Sequence, residues 1–532
     1  MYGFFPRFIM KNNRHIFSFL IFLLLLLLFV KTDYRFVSSI NCCGDDYDYF
    51  IHAVTITTDF DLDYSNQLNE ENHIRYNGKI APKGFIGTGI LATPFLFIGN
   101  LLNKIFANQS VFNFQILMYS LSSIFYLLIS YWLLVKTILK INKDADKLLL
   151  TLLFFGSGVS YYAFERFSMT HVYEVFISSL IIYLSTNYCF EKDYSKKNLL
   201  AFLIPLSIIL GILVRWTNYY LFVLPVIVVG LIGKNRINEN QIYKNKFTWI
   251  SMFISITAFS MLSKGVYGKV TFNPQFVYSD NRLDGFFSLS FDFIQTNLLN
   301  LWLILFGQEF GLFWVSTVIA FGFFISVNNF LYSKNKLTYL FLLLSYMQVI
   351  ATILVWKTTG SSYGMRYAFS LIPISLVLVF LNNKLTEIKI IKIILYTLSV
   401  FGIISVLFFE ADINTQLSIE PIVNSFGTVD VRYSNPNYVS GVLKTLTNID
   451  SYLSVISRSF IGALVLKLIT VFYNQNNFLV LLDQLGLPVQ NEDFILLMDN
   501  VKIIQIENFI VFSTVIFLIL YFLFKSLSLK SK

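Results

Sequence analysis

Long apolar runs separated by short polar stretches recur along the whole chain. A helix needs about 20 apolar residues to cross the hydrocarbon core of a bilayer, with ~17 near the lower limit. On that measure the pattern predicts spanning helices at 15–31, 113–136, 147–164, 170–189, 199–214, 217–233, 247–265, 311–331, 337–356, 367–383, 390–409 and 508–525, twelve in all. The first run, Ile16 to Val30, is leucine-rich and uncharged, and Arg7, Lys11 and Arg14 precede it as they would a signal peptide. No small-residue cleavage site follows Val30 and many apolar runs come later, so it is read as a first span that is retained.

The run from Lys83 to Lys104 is different. It carries Gly84, Gly87, Gly89, Pro94 and Gly99, which suit a helix lying on the membrane surface or re-entering it better than one that crosses. Charge arbitrates between the two. If this run does not span, the stretches 1–14, 137–146, 190–198, 234–246, 332–336, 384–389 and 526–532 fall on one side. With their helix-end charges they hold 22 Lys/Arg against 6 Asp/Glu, and the remainder of the chain holds 18 against 25. Such an excess of Lys and Arg marks cytoplasmic loops. If the run did span, Lys136, Lys140, Lys143 and Lys147 would change sides and the asymmetry would largely collapse. Both termini are therefore expected in the cytoplasm, and 32–112 and 410–507 outside. The second stretch mixes polar runs such as Ser434-Asn435-Pro436-Asn437 with apolar pieces such as Phe460 to Tyr473, and reads as a modest cap.

Composition supports the membrane reading. At 56% hydrophobic and 13% charged, with 57 Phe and 31 Tyr, the chain is too apolar for a soluble protein. The net charge of +9 belongs to the cytoplasmic loops and is no sign of nucleic-acid binding. Cys42, Cys43 and Cys189 make no disulfide framework, and neither adjacent cysteine has metal-ligand spacing with a histidine. The expected fold is an all-α polytopic membrane bundle over 1–409, including the first outer loop 32–112. An outer segment at 410–507 and a last span with its tail at 508–532 complete it.

Directly after the first predicted span stand Gly44-Asp45-Asp46-Tyr47-Asp48-Tyr49, followed by Asp59, Asp61 and Asp63. A transport bundle has little use for acids there. An enzyme acting on a lipid-linked substrate at the outer face needs at least one, as base or metal ligand; a solvated acidic loop is the plainer alternative. Asp48 reads as a helix cap or surface charge. Arg366 follows Gly360-Ser361-Ser362-Tyr363-Gly364 at the outer mouth of a predicted helix. Arginine grips a phosphate with two parallel hydrogen bonds, although an interfacial arginine reaching for headgroups would look the same. Arg215 lies between two apolar runs, where a charge faces a cavity or a partner: Glu165, Glu174, Glu309 or a ligand. His171 and Glu174 share a helix face and could ligate a metal. Two ligands are not a site, and a hydrogen-bonded pair is the simpler reading. Trp216, Trp314 and Trp356 fit an interfacial belt.

Five segments then carry a resemblance. GDDYDYFIHAVTITTDFDLDYSNQ resembles the first outer loop of bacterial GT-C-fold glycosyltransferases, which often has Gly-Asp-Glu, an amphipathic helix and a DGDLDL-N segment. Asp46 stands where that family has Glu, and Phe60-Asp61-Leu62-Asp63 matches the second part. APKGFIGTGILATPF is similar to the family stretch where a basic residue leads into a surface helix. FGQEFGLFW (306–314) is similar to D-x-E-x-G-L, KTTGSSYGMRY (357–367) to GG-S-x-G-x-R, and GILVRWTNYYLFVLP to a recurrent Arg-bearing hairpin. The matches keep the family order from 44 to 373 and do not cover 410–507.

The resemblance implies a GT-C-like bundle of about twelve spans with extracytoplasmic amphipathic helices after the first. It also implies an inverting transferase acting on the outer side of the cell membrane. The donor would be a polyprenyl-phosphate-linked sugar, the acceptor a lipid, glycan or protein, and the surroundings membrane lipids. Asp45, with Asp46 beside it, would act catalytically. Lys83, Arg366, Arg215, Glu309 and Tyr363 would bind substrate. No cofactor is fixed and no metal ligand assigned, although some relatives use a divalent metal. A flippase for lipid-linked saccharides is the first alternative, weakened by the lack of an internal repeat and by charges gathered at one surface. An O-antigen ligase or polymerase is the second, kept open by 410–507.

Overall fold

The computed structural model describes residues 27–30, 45–68, 73, 78–106, 114–232, 242–272, 301–307, 311–333, 335–355, 363–382, 388–408, 418–423, 429–434, 459–472 and 506–528, with isolated positions between 443 and 504. Of the predicted first span, only 27–30 lie among them.

The described chain is helical apart from one hairpin. In order come α1 (Asp45–Thr58), α2 (Gly87–Phe106), α3 (Phe114–Ile141), α4 (Lys147–Phe155), α5 (Val159–Phe164), α6 (His171–Phe190), α7 (Tyr194–Val214), α8 (Leu224–Ile232) and α9 (Lys246–Tyr267). They are followed by α10 (Leu312–Val315), α11 (Thr317–Tyr332), α12 (Lys336–Val355), α13 (Ile372–Leu381), α14 (Lys389–Phe408), α15 (Phe460–Phe472) and α16 (Ile506–Ser528). The hairpin pairs β1 (Ser418–Val423) with β2 (Val429–Ser434), antiparallel, Ser418 opposite Ser434. Among the described residues, α2, α3, α7, α9, α12, α14 and α16 contain apolar stretches long enough to cross a membrane. This is a multi-pass membrane protein.

Local chemistry sets the ends of these helices. Asp146, Asp193 and Asn245 cap α4, α7 and α9 by accepting from Leu149, Ser195 and Phe247 N–H groups, which satisfies backbone donors that a helix start leaves open. Gly268 closes α9 at φ 79°, its N–H bonded to Lys264 O at 3.0 Å.

Several expected single helices are broken. The predicted 147–164 splits at Gly156-Ser157-Gly158, where Gly158 sits at φ 84° and a Cβ would come within 2.9 Å of Phe369 and 3.1 Å of Tyr363. A left-handed residue interrupts the ladder, and only glycine fits there. The predicted 217–233 and 367–383 each open with a 3-10 turn, Tyr219–Phe222 and Arg366–Leu371, before α8 and α13. Pro225 and Pro373 fall in the first turn of those helices, where a missing N–H costs nothing.

Alternation of direction sorts the helix ends. At one end, Lys140 Nζ donates to Asn187 Oδ1 at 2.7 Å and Lys392 lies 2.7 Å from Asp146. At the other, α3 and α6 begin and α5, α7 and α9 finish: Ser123 Oγ donates to Ala163 O, and the Tyr173 hydroxyl meets Ser122 Oγ at 2.6 Å. A second apolar core lies at this end, separate from the core of the bundle. It joins Phe50 and Ile51 of α1, Tyr64, Phe85, Leu96 of α2, Ile116 of α3, Ile212 of α7 and Tyr267 of α9. Although α2 has the length of a span, its neighbours are α1, the first half of α3 and the finish of α7. Tyr126 donates to Leu91 O at 2.9 Å, Asn103 accepts from Phe114 N–H at 2.8 Å, and Gly87 abuts the backbone of Leu213 and Val214. Helix α2 therefore packs with α1 at the capped end of the bundle.

Candidate active site

Four segments distant in sequence bring polar residues to the capped end: the start of α1, the loop between α5 and α6, the turn after α7, and the 3-10 turn before α13. Each lies at or next to the end of a helix, so its charged side chain sits where a helix starts or stops.

Asp46 is buried, and Arg166 Nε lies 3.5 Å from its Oδ2. Arg215 directs Nη1 at Glu174 Oε1, 3.2 Å away. The same oxygen accepts from Thr170 Oγ1 at 2.7 Å and stands 3.1 Å from His171 Nδ1. Burial works against the charge of Arg215, and Glu174 beside it more than restores it, so the guanidinium stays cationic. On its other side Arg215 covers the Tyr367 ring, Cζ 4.3 Å from the centroid. Arg366 approaches the same ring at 5.2 Å. It donates to the Tyr367 hydroxyl at 3.4 Å and to Met169 Sδ at 3.7 Å. Arg166 and Arg215 are both near enough to act electrostatically on Arg366, and Tyr49 of α1 on Arg215. Three arginines from three segments thus share one end with the acidic start of α1.

The expected site residues fare differently. Asp45 opens α1, and its side chain, Glu309 and the loop 360–362 lie outside the described residues. Asp46, expected to act catalytically, is buried and pairs with the Arg166 guanidinium. Asp48 is neither a cap nor a surface charge. It is buried, accepts from Lys83 N–H at 2.6 Å and faces His73 Nε2 at 3.3 Å, pinning the backbone of Lys83 to α1. Tyr363, expected to touch substrate, is fully buried. Its hydroxyl bonds Ser405 Oγ at 2.7 Å, its carbonyl accepts from Tyr162 at 2.7 Å, and its ring stacks on Tyr161. Those contacts fix the chain just before the 3-10 turn Arg366–Leu371. Of the three glutamates open to Arg215, Glu174 is a partner.

Tyr367 and Met169 are residues of this cluster that the sequence does not single out, while Arg166 is legible there as part of a short outer loop with Glu165. Arg166 carried the same signal as Arg215, a charge between two apolar runs. Tyr367 and Met169 had none, since their roles depend on which neighbours the fold supplies. Among the described residues no three His, Cys, Asp or Glu groups gather as a metal site. His171 and Glu174 engage each other and Arg215, Asp46 engages Arg166, and Asp48 engages the Lys83 amide and His73.

No family model and no curated protein matches the chain. Among solved structures it is similar to the Archaeoglobus fulgidus oligosaccharyltransferase in complex with zinc and sulfate. That likeness has 15% identity and a TM-score of 0.40, over 75% of this chain and 55% of that one. The same enzyme tethered to an acceptor peptide matches at 14% identity and a TM-score of 0.38, over 86% of this chain and 57% of that one. The chain thus spans somewhat over half the length of the protein it matches.

Proposed function

We propose that this chain is a cell-membrane glycosyltransferase. It moves a sugar from a polyprenyl-phosphate donor to a lipid, glycan or protein acceptor on the outer side, with both termini cytoplasmic. The observation that carries this reading is the meeting of Arg166, Arg215 and Arg366 beside the acidic start of α1. Clustering guanidiniums away from water is unfavourable unless anions answer them. Asp46 and Glu174 do so for Arg166 and Arg215, and the group of cations as a whole suits a donor phosphate, which an arginine such as Arg366 grips with two parallel hydrogen bonds.

In this reading Asp45 takes the proton from the acceptor hydroxyl. The freed oxygen attacks the anomeric carbon from the face opposite the phosphate, which inverts that centre. The bond from sugar to phosphate oxygen breaks, and the phosphate keeps the electron pair. Arg366 and Arg215 stabilise its growing charge in a dry, fixed setting where donors act most strongly. Lys83, held to α1 through Asp48, adds a point charge at the same end. An apolar groove of about 450 Å³ between α3 and α16, lined by Phe125, Ile129, Trp132, Val515 and Phe522, offers room for a prenyl tail.

Asp45→Asn keeps size and polarity but removes the base. It is expected to cut sugar transfer from a labelled prenyl-phosphate donor by at least ~100-fold, with expression and thermal stability unchanged. Full transfer by that variant would remove Asp45 from the mechanism.

A further inference from the structure

Tyr367 meets both Arg215 and Arg366 through its ring. It is buried and follows Arg366 directly in the 3-10 turn. Two cations held close in a region poor in water repel each other. An aromatic face carries negative potential and attracts a cation placed over it, more strongly where water is excluded. One ring that meets two guanidiniums therefore offsets their repulsion and fixes their spacing. The far sides of both arginines are anchored too: Arg215 by Glu174 and Thr170, Arg366 by Met169 Sδ. Each guanidinium is thereby gripped from two directions, and the turn after α7 is tied to the turn before α13.

We infer that Tyr367 is a positioning residue: its ring sets Arg215 and Arg366 as the two prongs of a clamp for the phosphate of the donor. The inference rests on the prenyl-phosphate reading above. It assigns the ring face, rather than the hydroxyl, as the feature that matters. The hydroxyl contact to Arg366 is long at 3.4 Å, whereas Arg215 lies 4.3 Å over the ring.

The test is binding of farnesyl phosphate, with farnesol as its uncharged counterpart, to the purified full-length chain in detergent by calorimetry. The wild type is expected to bind farnesyl phosphate at least about tenfold more tightly than farnesol. If it does not, the donor reading fails and the clamp with it. Given that preference, Tyr367→Leu should lose about tenfold of the affinity for farnesyl phosphate, ~1.4 kcal/mol, with farnesol unchanged. Tyr367→Phe should stay within about twofold of the wild type. Tyr367→Leu binding farnesyl phosphate like the wild type would overturn the clamp and leave the donor reading standing. Tyr367→Phe falling as far as Tyr367→Leu would overturn the assignment to the ring face. Should Tyr367→Leu not fold, Tyr367→Met, similar in bulk and without a π face, carries the same expectation.

Discussion

Glu174 accepts from Thr170, faces His171 and pairs with Arg215 on one buried oxygen. Such a network is asymmetric: complete, it holds Arg215 in place; broken, it leaves a carboxylate in a region poor in water. Removing one partner of a buried ion pair typically costs about 3–5 kcal/mol. Arg215→Ala is therefore expected to lower stability by about that much in detergent-solubilised denaturation, and a loss below ~1 kcal/mol would show that Glu174 is satisfied without it. At this scale the sequence was partly legible. Arg215 stood out because nothing about a cytoplasmic loop explained a charge between two apolar runs. Its partner could not be chosen from Glu165, Glu174 and Glu309, because hydrophobic periodicity fixes which face of a helix is buried and not which helix end lies opposite. Arg166 was readable by the same rule. Tyr367 was not, since an aromatic at a helix mouth is indistinguishable from an interfacial belt until the two guanidiniums are seen on it.

Among the elements, α1 is held to the segment before α2 by His52. Its Nε2 lies 2.9 Å from Gly84 O and its Nδ1 2.7 Å from the Tyr64 hydroxyl. A neutral ring donates from Nε2 and accepts at Nδ1, and both partners suit that tautomer. Burial lowers its pKa from 6.5 to about 4, the bond to Gly84 resisting in part. Between those values the unfolded chain binds a proton that the folded chain does not. The contribution of His52 is thus complete above the unfolded value of 6.5 and is lost as pH falls towards 4. The full swing is about 3 kcal/mol. Unfolding measured from pH 7 to 4.5 should show this slope in the wild type and a shallower one, by about one proton, in His52→Gln. Identical slopes would mean that His52 is not the group responsible. The long helices themselves were plain from hydropathy. The break at Gly158 was not, because a left-handed glycine announces itself only through the Phe369 and Tyr363 rings that exclude any side chain there.

For the whole molecule, the decisive feature is the separation of its two ends, one capped by α1 and α2, the other bearing Lys140 and Lys392. We propose, from the charge asymmetry of the sequence, that the lysine-bearing end faces the cytoplasm. In a background without Cys42, Cys43 and Cys189, Lys79→Cys should react with an impermeant maleimide on intact cells. Lys143→Cys should react only after permeabilisation. The reverse pattern would put the capped end in the cytoplasm and leave the donor reading without its compartment. The central claim is that this capped end breaks the bond between a sugar and a prenyl phosphate. Its most direct test is incubation of the purified chain in liposomes with a panel of labelled polyprenyl-phosphate sugars and mixed acceptors. The account predicts that label from at least one donor appears on an acceptor and that free prenyl phosphate accumulates with it; intact donor carried across the bilayer, with no label transferred from any member of the panel, would contradict it.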